Sequence, residues 1–257
     1  MSTEERHRRI GELLRQREHV SVDELMTECG ASGATIRRDL DVLALHGVLR
    51  RVHGGARSLV LRGETPEYGQ REIEDHAAKI RIAAGVAGLL RDRSHVWLDS
   101  GTTATEVARQ LGQREMTLMP MSLRAVSALT AGGQDAGHRP DLLLPGGSLV
   151  AGEQSFRGPM TESNIRALRF DTAVVTPCAL NLQDGLLAHD LHDAAVKRAG
   201  LESAHQVIAA FSAAKWNATA VALVAALDAV DVLVTDRELS AEELTQLAQH
   251  SVKAVIV

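Results

Sequence analysis

Aromatic side chains make up 2% of this 257-residue chain, which holds two cysteines, six prolines and only four lysines (Lys79, Lys197, Lys215 and Lys253) among 28 basic residues. Each scarcity excludes something. Cores without aromatics are built from Ala, Val, Leu and Ile. Cys29 and Cys178 lack CxxC or Cys/His spacing, which argues against a disulfide framework or a zinc site. No apolar run reaches membrane-spanning length, and the charged opening Met1 to Arg9 lacks the apolar core of a signal peptide. A cytoplasmic protein with no membrane partner is expected. There is no nucleophile elbow, P-loop or dinucleotide fingerprint, and no internal repeat. Neither a cofactor nor a bound metal is expected.

What is present is an uneven distribution of charge. The formal net charge is −5, yet six arginines face two aspartates between Thr35 and Arg62. An acidic body with a basic head suits a protein that must touch nucleic acid selectively. Ser2-Thr3-Glu4-Glu5 and Ser21-Val22-Asp23-Glu24 are capping boxes that start two helices, the second short and running through Met26. Gly30 frees the backbone for a turn at Cys29-Gly30-Ala31-Ser32, and Ser32 caps a third helix. Ile36, Leu40 and Leu43 face inward there, so Thr35, Arg37 and Arg38 point outward. That helix is expected to end at His46-Gly47, and Val48 to Val52 forms a wing strand carrying Arg50, Arg51 and, just beyond, His53. A basic helix with a basic ribbon beside it suits a DNA groove and its flanking backbone. The pattern predicts a winged helix-turn-helix over residues 1–57, in which Ser32, Thr35, Arg37, Arg38, Arg50, Arg51 and His53 contact double-stranded DNA.

Residues 58–75 read as a linker, with a polar stretch from Arg57 to Gln70. A long helix is predicted from Arg71 to about Arg91, with Ile80, Ala83, Ala84 and Ala87 as its buried stripe. Beyond it, apolar strands at Val96–Asp99, Thr117–Met119, Asp141–Leu144, Thr172–Thr176, Gln206–Phe211, Asp231–Thr235 and Lys253–Val257 alternate with helix-like stretches. That alternation predicts an α/β domain over 76–257 with a mostly parallel sheet covered by helices.

In such sheets ligands bind at the carboxyl ends of strands. Asp99-Ser100-Gly101-Thr102-Thr103 follows a strand and enters a helix, offering free N–H groups to an anion. An ordinary helix cap, with Thr103-x-x-Glu106 as a capping box, is the plain alternative. Gly146-Gly147-Ser148 either brings more N–H groups to the same ligand or is a tight turn. Lys197 and Lys215 stand out in a lysine-poor chain. His189 and His192, near Asp190 and Asp193, are spaced for a metal, but a solvated helix start is the better reading.

Taken together these residues resemble the DeoR family of bacterial transcriptional regulators, over nearly the whole chain. The hallmark is matched by Thr35-Ile36-Arg37-Arg38-Asp39-Leu40 and Arg51-Val52-His53-Gly54-Gly55-Ala56 in the first part. In the second it is matched by Asp99 to Thr103, with Lys79, Gly146-Gly147, Gly185-Leu186 and Lys197-Arg198. The resemblance implies an effector domain similar to the sugar-phosphate isomerase and CoA-transferase fold, which senses a phosphorylated sugar or related metabolite without chemistry. The implied effector residues are Asp99, Ser100, Gly101, Thr102, Thr103, Ser122, Gly146, Gly147, Lys197 and Lys215. The chain departs from the pattern at Pro120-Met121 before Ser122, at Ser212 and Asp193 where an Asp and a Glu are usual, and at Ala31. Most departures fall in the ligand pocket, which predicts a kept phosphate subsite and an altered remainder. The expected function is a sequence-specific DNA-binding regulator, a repressor of a carbohydrate operon, acting as a homodimer or homotetramer. The competing readings are a ligand-independent regulator and a sugar-phosphate isomerase-like enzyme with a DNA-binding head. The enzyme would need a general base, for which Asp99 is the candidate; no catalytic residue is assigned.

Overall fold

The head begins with α1 (Thr3–Gln16), β1 (His19–Ser21), α2 (Val22–Cys29) and α3 (Gly33–Leu45), and closes with β2 (Leu49–Val52) and β3 (Gly55–Ser58). The computed structural model describes residues 1–16, 19–45, 48–58, 67–131 and 138–257. The helix end expected at His46-Gly47 and most of the polar connector, 59–66, lie outside these. Both capping boxes form: Ser2 Oγ and Ser21 Oγ accept from the amides of Glu5 and Glu24, and each glutamate reaches back to the serine amide. The second helix runs three residues past Met26. Gly30 then turns the chain with φ +59°, in the left-handed region that favours glycine. The wing is richer than the single strand foreseen: β1, β3 and β2 form an antiparallel sheet in that order. Ile10, Leu13, Leu14, Leu25, Ile36, Leu40, Leu43 and Leu49 make one apolar core beneath it.

The predicted helix from Arg71 to Arg91 is two helices, α4 (Tyr68–Ile73) and α5 (His76–Leu89). Asp75 adopts φ +53° and breaks the hydrogen-bond ladder between them. The buried face of α5 is Ala78, Lys79, Ile82, Ala83 and Val86, whereas Ile80 and Ala84 of the foreseen stripe face outward.

All seven predicted strands occur: β4 (His95–Leu98), β5 (Thr117–Pro120), β6 (Asp141–Leu142), β9 (Phe170–Val175), β12 (Ala204–Ala210), β14 (Val232–Thr235) and β15 (Lys253–Ile256). They form one wholly parallel sheet in the order β15-β14-β12-β9-β4-β5-β6. Strand residues alternate between two cores. Val96, Leu98, Val174 and Ile208 pack with Ile82 and Val86 of α5, Val107 of α6 (Thr102–Leu111) and Leu129 of α7 (Leu123–Thr130). Trp97, Ala173, Val175 and Ala209 pack on the other face with Ile165 of α8 (Pro159–Arg166), Ala194 of α9 (Leu191–Glu202) and Leu247 of α10 (Ala241–Gln249). Burial on both faces explains why the strands read as short, nearly continuous apolar runs. A second sheet, antiparallel, joins β10 (Ala179–Asn181), β11 (Gly185–Ala188) and β13 (Ala222–Ala225), and β7 (Ser148–Val150) pairs with β8 (Ser155–Arg157) as a hairpin.

The order of the parallel sheet locates a site. From β4 the chain moves outward through β5 to β6, then returns to lay β9 on the other side of β4. The strand order therefore reverses between β4 and β9, and the crevice at their carboxyl ends is where such sheets hold ligands.

Candidate nucleic-acid interface and anion-binding cleft

In the head, Ser32 Oγ accepts from the Thr35 amide at 3.3 Å and pairs with the Thr35 hydroxyl at 2.9 Å, so both candidates serve first as the cap of α3. Arg37 and Arg38 are exposed on that helix, and Arg50 and His53 are exposed on the wing. Among the described residues no ion pair holds Arg37, Arg38 or Arg50. Arg51 differs. Its Nη1 donates to the Arg37 carbonyl at 3.0 Å and to Asp41 Oδ1 at 2.7 Å, tying the wing to α3.

Asp39, one of the two acidic residues set against the arginines, is buried on the inner face of α3. It accepts Arg6 Nε at 2.7 Å, Arg6 Nη2 at 3.1 Å and a hydrogen bond shared with His7 Nε2 at 3.1 Å. Burial pushes its carboxyl up, but the hydrogen bonds from Arg6 and His7 win and hold it below the usual carboxylate range. With Asp39 matched by Arg6 and Asp41 by Arg51, the outward positive charge of Arg37, Arg38 and Arg50 stands unopposed.

At the reversal point, α6 starts on Gly101, and the amides of Gly101, Thr102 and Thr103 have no acceptor among the described residues, as at any helix start. The Thr103–Glu106 capping box does not form, because the helix begins earlier; Glu106 instead receives Arg109 Nε at 3.2 Å. Ser100, Gly101, Thr102 and Thr103 line a cleft with Arg71, Glu153, Phe156, Arg157, Thr176, Cys178, His189, Asp193, Lys197 and Lys215. Its cavity is about 120 Å³. A water takes on the order of 10–15 Å³ on this measure, so the space suits a small metabolite rather than a nucleotide.

Asp99 lies beneath the cleft. Its carboxylate accepts Lys197 Nζ at 2.7 and 2.9 Å, the Ser100 amide at 2.8 Å and the Thr176 amide at 2.8 Å. Asp193 adds a second carboxylate 3.1 Å from Lys197, so the aspartate in place of the usual glutamate still reaches it. Burial disfavours the Lys197 ammonium, but Asp193 and Asp99 outweigh that and raise its pKa. Asp99 and Lys197 thus satisfy each other and brace the loop that presents Ser100 to Thr103.

Lys215 and Arg157 are cations of the cleft that lack a partner among the described residues. Neither has an ion pair or a side-chain hydrogen bond among the described residues, and both line the cleft. Ser212 stands where the resemblance leads one to expect an aspartate, and it offers Lys215 no counter-charge. Burial pulls the Lys215 ammonium below its usual range. Burial likewise pushes the Cys178 thiol up to about 12, so it faces the cleft as a neutral group.

Three of the foreseen effector residues are not brought to this cleft. Ser122 caps α7, accepting the Ala125 amide at 3.1 Å. Gly146 and Gly147 pack on α8: Thr161 Oγ1 donates to the Gly146 carbonyl at 2.7 Å, and a Cβ on Gly147 would lie 2.0 Å from that hydroxyl oxygen. Both hold a left-handed backbone, φ +68° and +95°, and at Gly147 close packing against Thr161 also excludes a side chain. Asp190 caps α9 through the amides of His192 and Asp193. Among the described residues no cluster of three metal-ligating side chains forms, and no helix is long and apolar enough to cross a membrane.

Comparison with known proteins follows this division. The profile of the DeoR-like helix-turn-helix domain matches residues 6–60, and that of the DeoR C terminal sensor domain matches residues 74–237. The transcriptional repressor AccR of Agrobacterium fabrum is 33% identical over 91% of this chain and 90% of its own. The glycerol-3-phosphate regulon repressor of Haemophilus influenzae is 31% identical over 90% and 88%. Among solved structures, ribose 5-phosphate isomerase A of Methanocaldococcus jannaschii aligns with 56% of this chain and 55% of its own, at 13% identity and a TM-score of 0.39.

Proposed function

This chain belongs to the DeoR family of transcriptional regulators, and from that footing we propose that it represses a carbohydrate-metabolism operon until a small phosphorylated metabolite occupies the sensor cleft. It is a DNA-binding regulator and not an enzyme.

The observation that carries the effector reading is the pairing of Lys215 and Arg157, two cations without partners, with the unbonded amides at the start of α6. Helix-start amides and the dipole behind them favour an anion, and two unmatched cations in a partly buried cleft call for a divalent one. The names of relatives such as the glycerol-3-phosphate regulon repressor agree with a phosphorylated polyol or sugar. Asp99, the candidate general base, is held by Lys197 and two amides, which supports sensing over catalysis.

On the DNA side, Arg37 and Arg38 enter the major groove, Arg50 and His53 hold flanking backbone, and Arg51 sets the angle of the wing. Helix-turn-helix proteins bind two-fold sites as dimers, so the working form is a homodimer or homotetramer, in the cytoplasm. The effector acts by binding the DNA-incompetent arrangement better than the competent one.

The test is retention of genomic DNA fragments by the purified protein, repeated with Arg37→Ala/Arg38→Ala. Enrichment of a few fragments sharing a repeat, lost in the variant and reversed by glycerol 3-phosphate or a hexose phosphate, is the expected result. Fragments retained equally by the variant would remove Arg37 and Arg38 from the interface. Retention untouched by any phosphorylated metabolite would leave a ligand-independent regulator.

A further inference from the structure

Arg71 belongs to two systems at once. Its guanidinium lines the cleft beside Ser100 to Thr103 and pairs with Glu153, in the turn between β7 and β8. Its backbone belongs to α4, the first described element that follows the DNA-binding head.

The rest of α4 is fixed to the same end of the sensor domain. Tyr68, the single tyrosine of the chain, is buried and its hydroxyl meets Thr105 Oγ1 at 2.9 Å. Thr105 Oγ1 donates to the Gly101 carbonyl at 3.0 Å, so the tyrosine must be the donor to Thr105. Arg124 lies 3.9 Å from the centre of the Tyr68 ring. At the other end of α4, buried Lys79 donates to the carbonyls of Arg71 and Glu74. The helix is held at both ends by neutral or one-sided contacts. The Arg71 guanidinium also lies 5.6 Å from the centre of the Tyr68 ring, and its ion pair with Glu153 is a tie that an incoming anion can compete for.

We propose that Arg71 is the positioning residue that passes occupancy of the cleft to the DNA-binding head: an anion at the start of α6 draws its guanidinium from Glu153 and shifts α4. This rests on the effector reading above. Glu153 and a phosphate on the same guanidinium repel each other, and the phosphate carries the greater charge, so it wins the competition. Coupling between sites requires contacts that differ between two states, and Arg71 with and without Glu153 supplies them.

The experiment measures binding of inorganic phosphate and of glycerol 3-phosphate by titration calorimetry. It also measures retention of the enriched DNA fragment at saturating probe against a chloride control of equal ionic strength. Wild type, Arg71→Ala and Glu153→Gln are compared, with urea midpoints confirming that all three fold. In wild type the probe is expected to change DNA affinity by at least about fivefold, the lower edge of ordinary coupling. In both variants that response falls to near unity at saturation. Glu153→Gln without probe already shifts DNA affinity in the direction the probe shifts wild type. Variants that bind the probe and respond as wild type does would overturn the role of Arg71 and leave the effector reading standing. A wild type that binds neither probe would take down the effector reading itself, and the role of Arg71 with it.

Discussion

Lys197 and Asp99 stand 98 residues apart in sequence and meet at 2.7 Å, with neither side chain more than 2% exposed. The pair joins α9 to the loop after β4 and so fixes the floor of the cleft. Breaking a buried pair by removing one partner leaves an uncompensated charge and costs about 3–5 kcal/mol. Lys197→Met is therefore expected to lower the unfolding free energy by that amount, read as a lower urea midpoint at unchanged m-value, because Asp99 and Asp193 lose the cation they share. Lys197→Met/Asp99→Asn is expected to recover a large part of it. A cost below about 1 kcal/mol for the single variant, the range of an exposed pair, would mean that the pair does not hold the floor.

Arg51 and Arg38 are expected to behave differently although both belong to the basic head. Arg51 is held by Asp41 and the Arg37 carbonyl, and Asp41 is well exposed. Arg51→Ala should cost no more than about 1 kcal/mol of stability and weaken DNA binding without altering its salt dependence, since it acts through the wing. Arg38→Ala should leave stability unchanged. Where it removes a phosphate contact, the slope of log affinity against log salt should fall by about one. Equal salt slopes for the two variants would place both arginines in the same role.

Much of this was written locally in the chain. Both capping boxes, the inward triad Ile36, Leu40 and Leu43, and the seven apolar strands are set by neighbours within a few residues, and they were readable for that reason. The cleft was legible on one wall only. Ser100 to Thr103 announce a strand end and a helix start, but Arg71, Glu153 and Arg157 arrive there from α4 and from a hairpin too short and too exposed to show alternation. The stripe of α5 was misplaced for a different reason: Ala, Ile and Val fall on nearly every side of His76–Leu89, so periodicity picks no single face there. Asp39 was hidden in another way: its partner Arg6 is 33 residues distant, on α1. Gly146 and Gly147 looked like ligand-binding glycines because a left-handed turn, joined at Gly147 by close approach to Thr161, demands the same residue as close approach to a ligand.

Asp39 gives the head a pH dependence with a definite sign. Its folded pKa lies below the ordinary 3.8 once the bonds from Arg6 and His7 overcome burial. A depressed carboxylate contributes stability in full above its unfolded value and loses it as pH falls through the folded one. Asp39→Asn should cost about 2 kcal/mol near neutral pH, the scale of a hydrogen bond to a charged group, and the difference from wild type should shrink below about pH 4. Thermal melts from pH 3 to 7 measure it. A constant difference over that range would mean that shape, not charge, makes Asp39 necessary.

Lys215 gives the cleft the opposite dependence. Burial pulls its ammonium below 10.5, the largest effect, and the like charge of Arg71 adds to it while Glu74 and Asp75 oppose it. A bound phosphate supplies the counter-charge it lacks and raises that pKa again. Phosphate binding therefore takes up a proton once pH exceeds the free value, and affinity falls as pH rises, by up to about tenfold per unit. Titrations of glycerol 3-phosphate between pH 7.5 and 10 stay above the second ionisation of a phosphate monoester, near 6, so the ligand itself does not titrate. Lys215→Arg should carry the fall out of this window, since a guanidinium stays charged, and Lys215→Ala should bind weakly at every pH. Should wild type and the arginine variant lose affinity together, the titrating group lies elsewhere; it would not be Lys197, whose two carboxylates hold it protonated throughout.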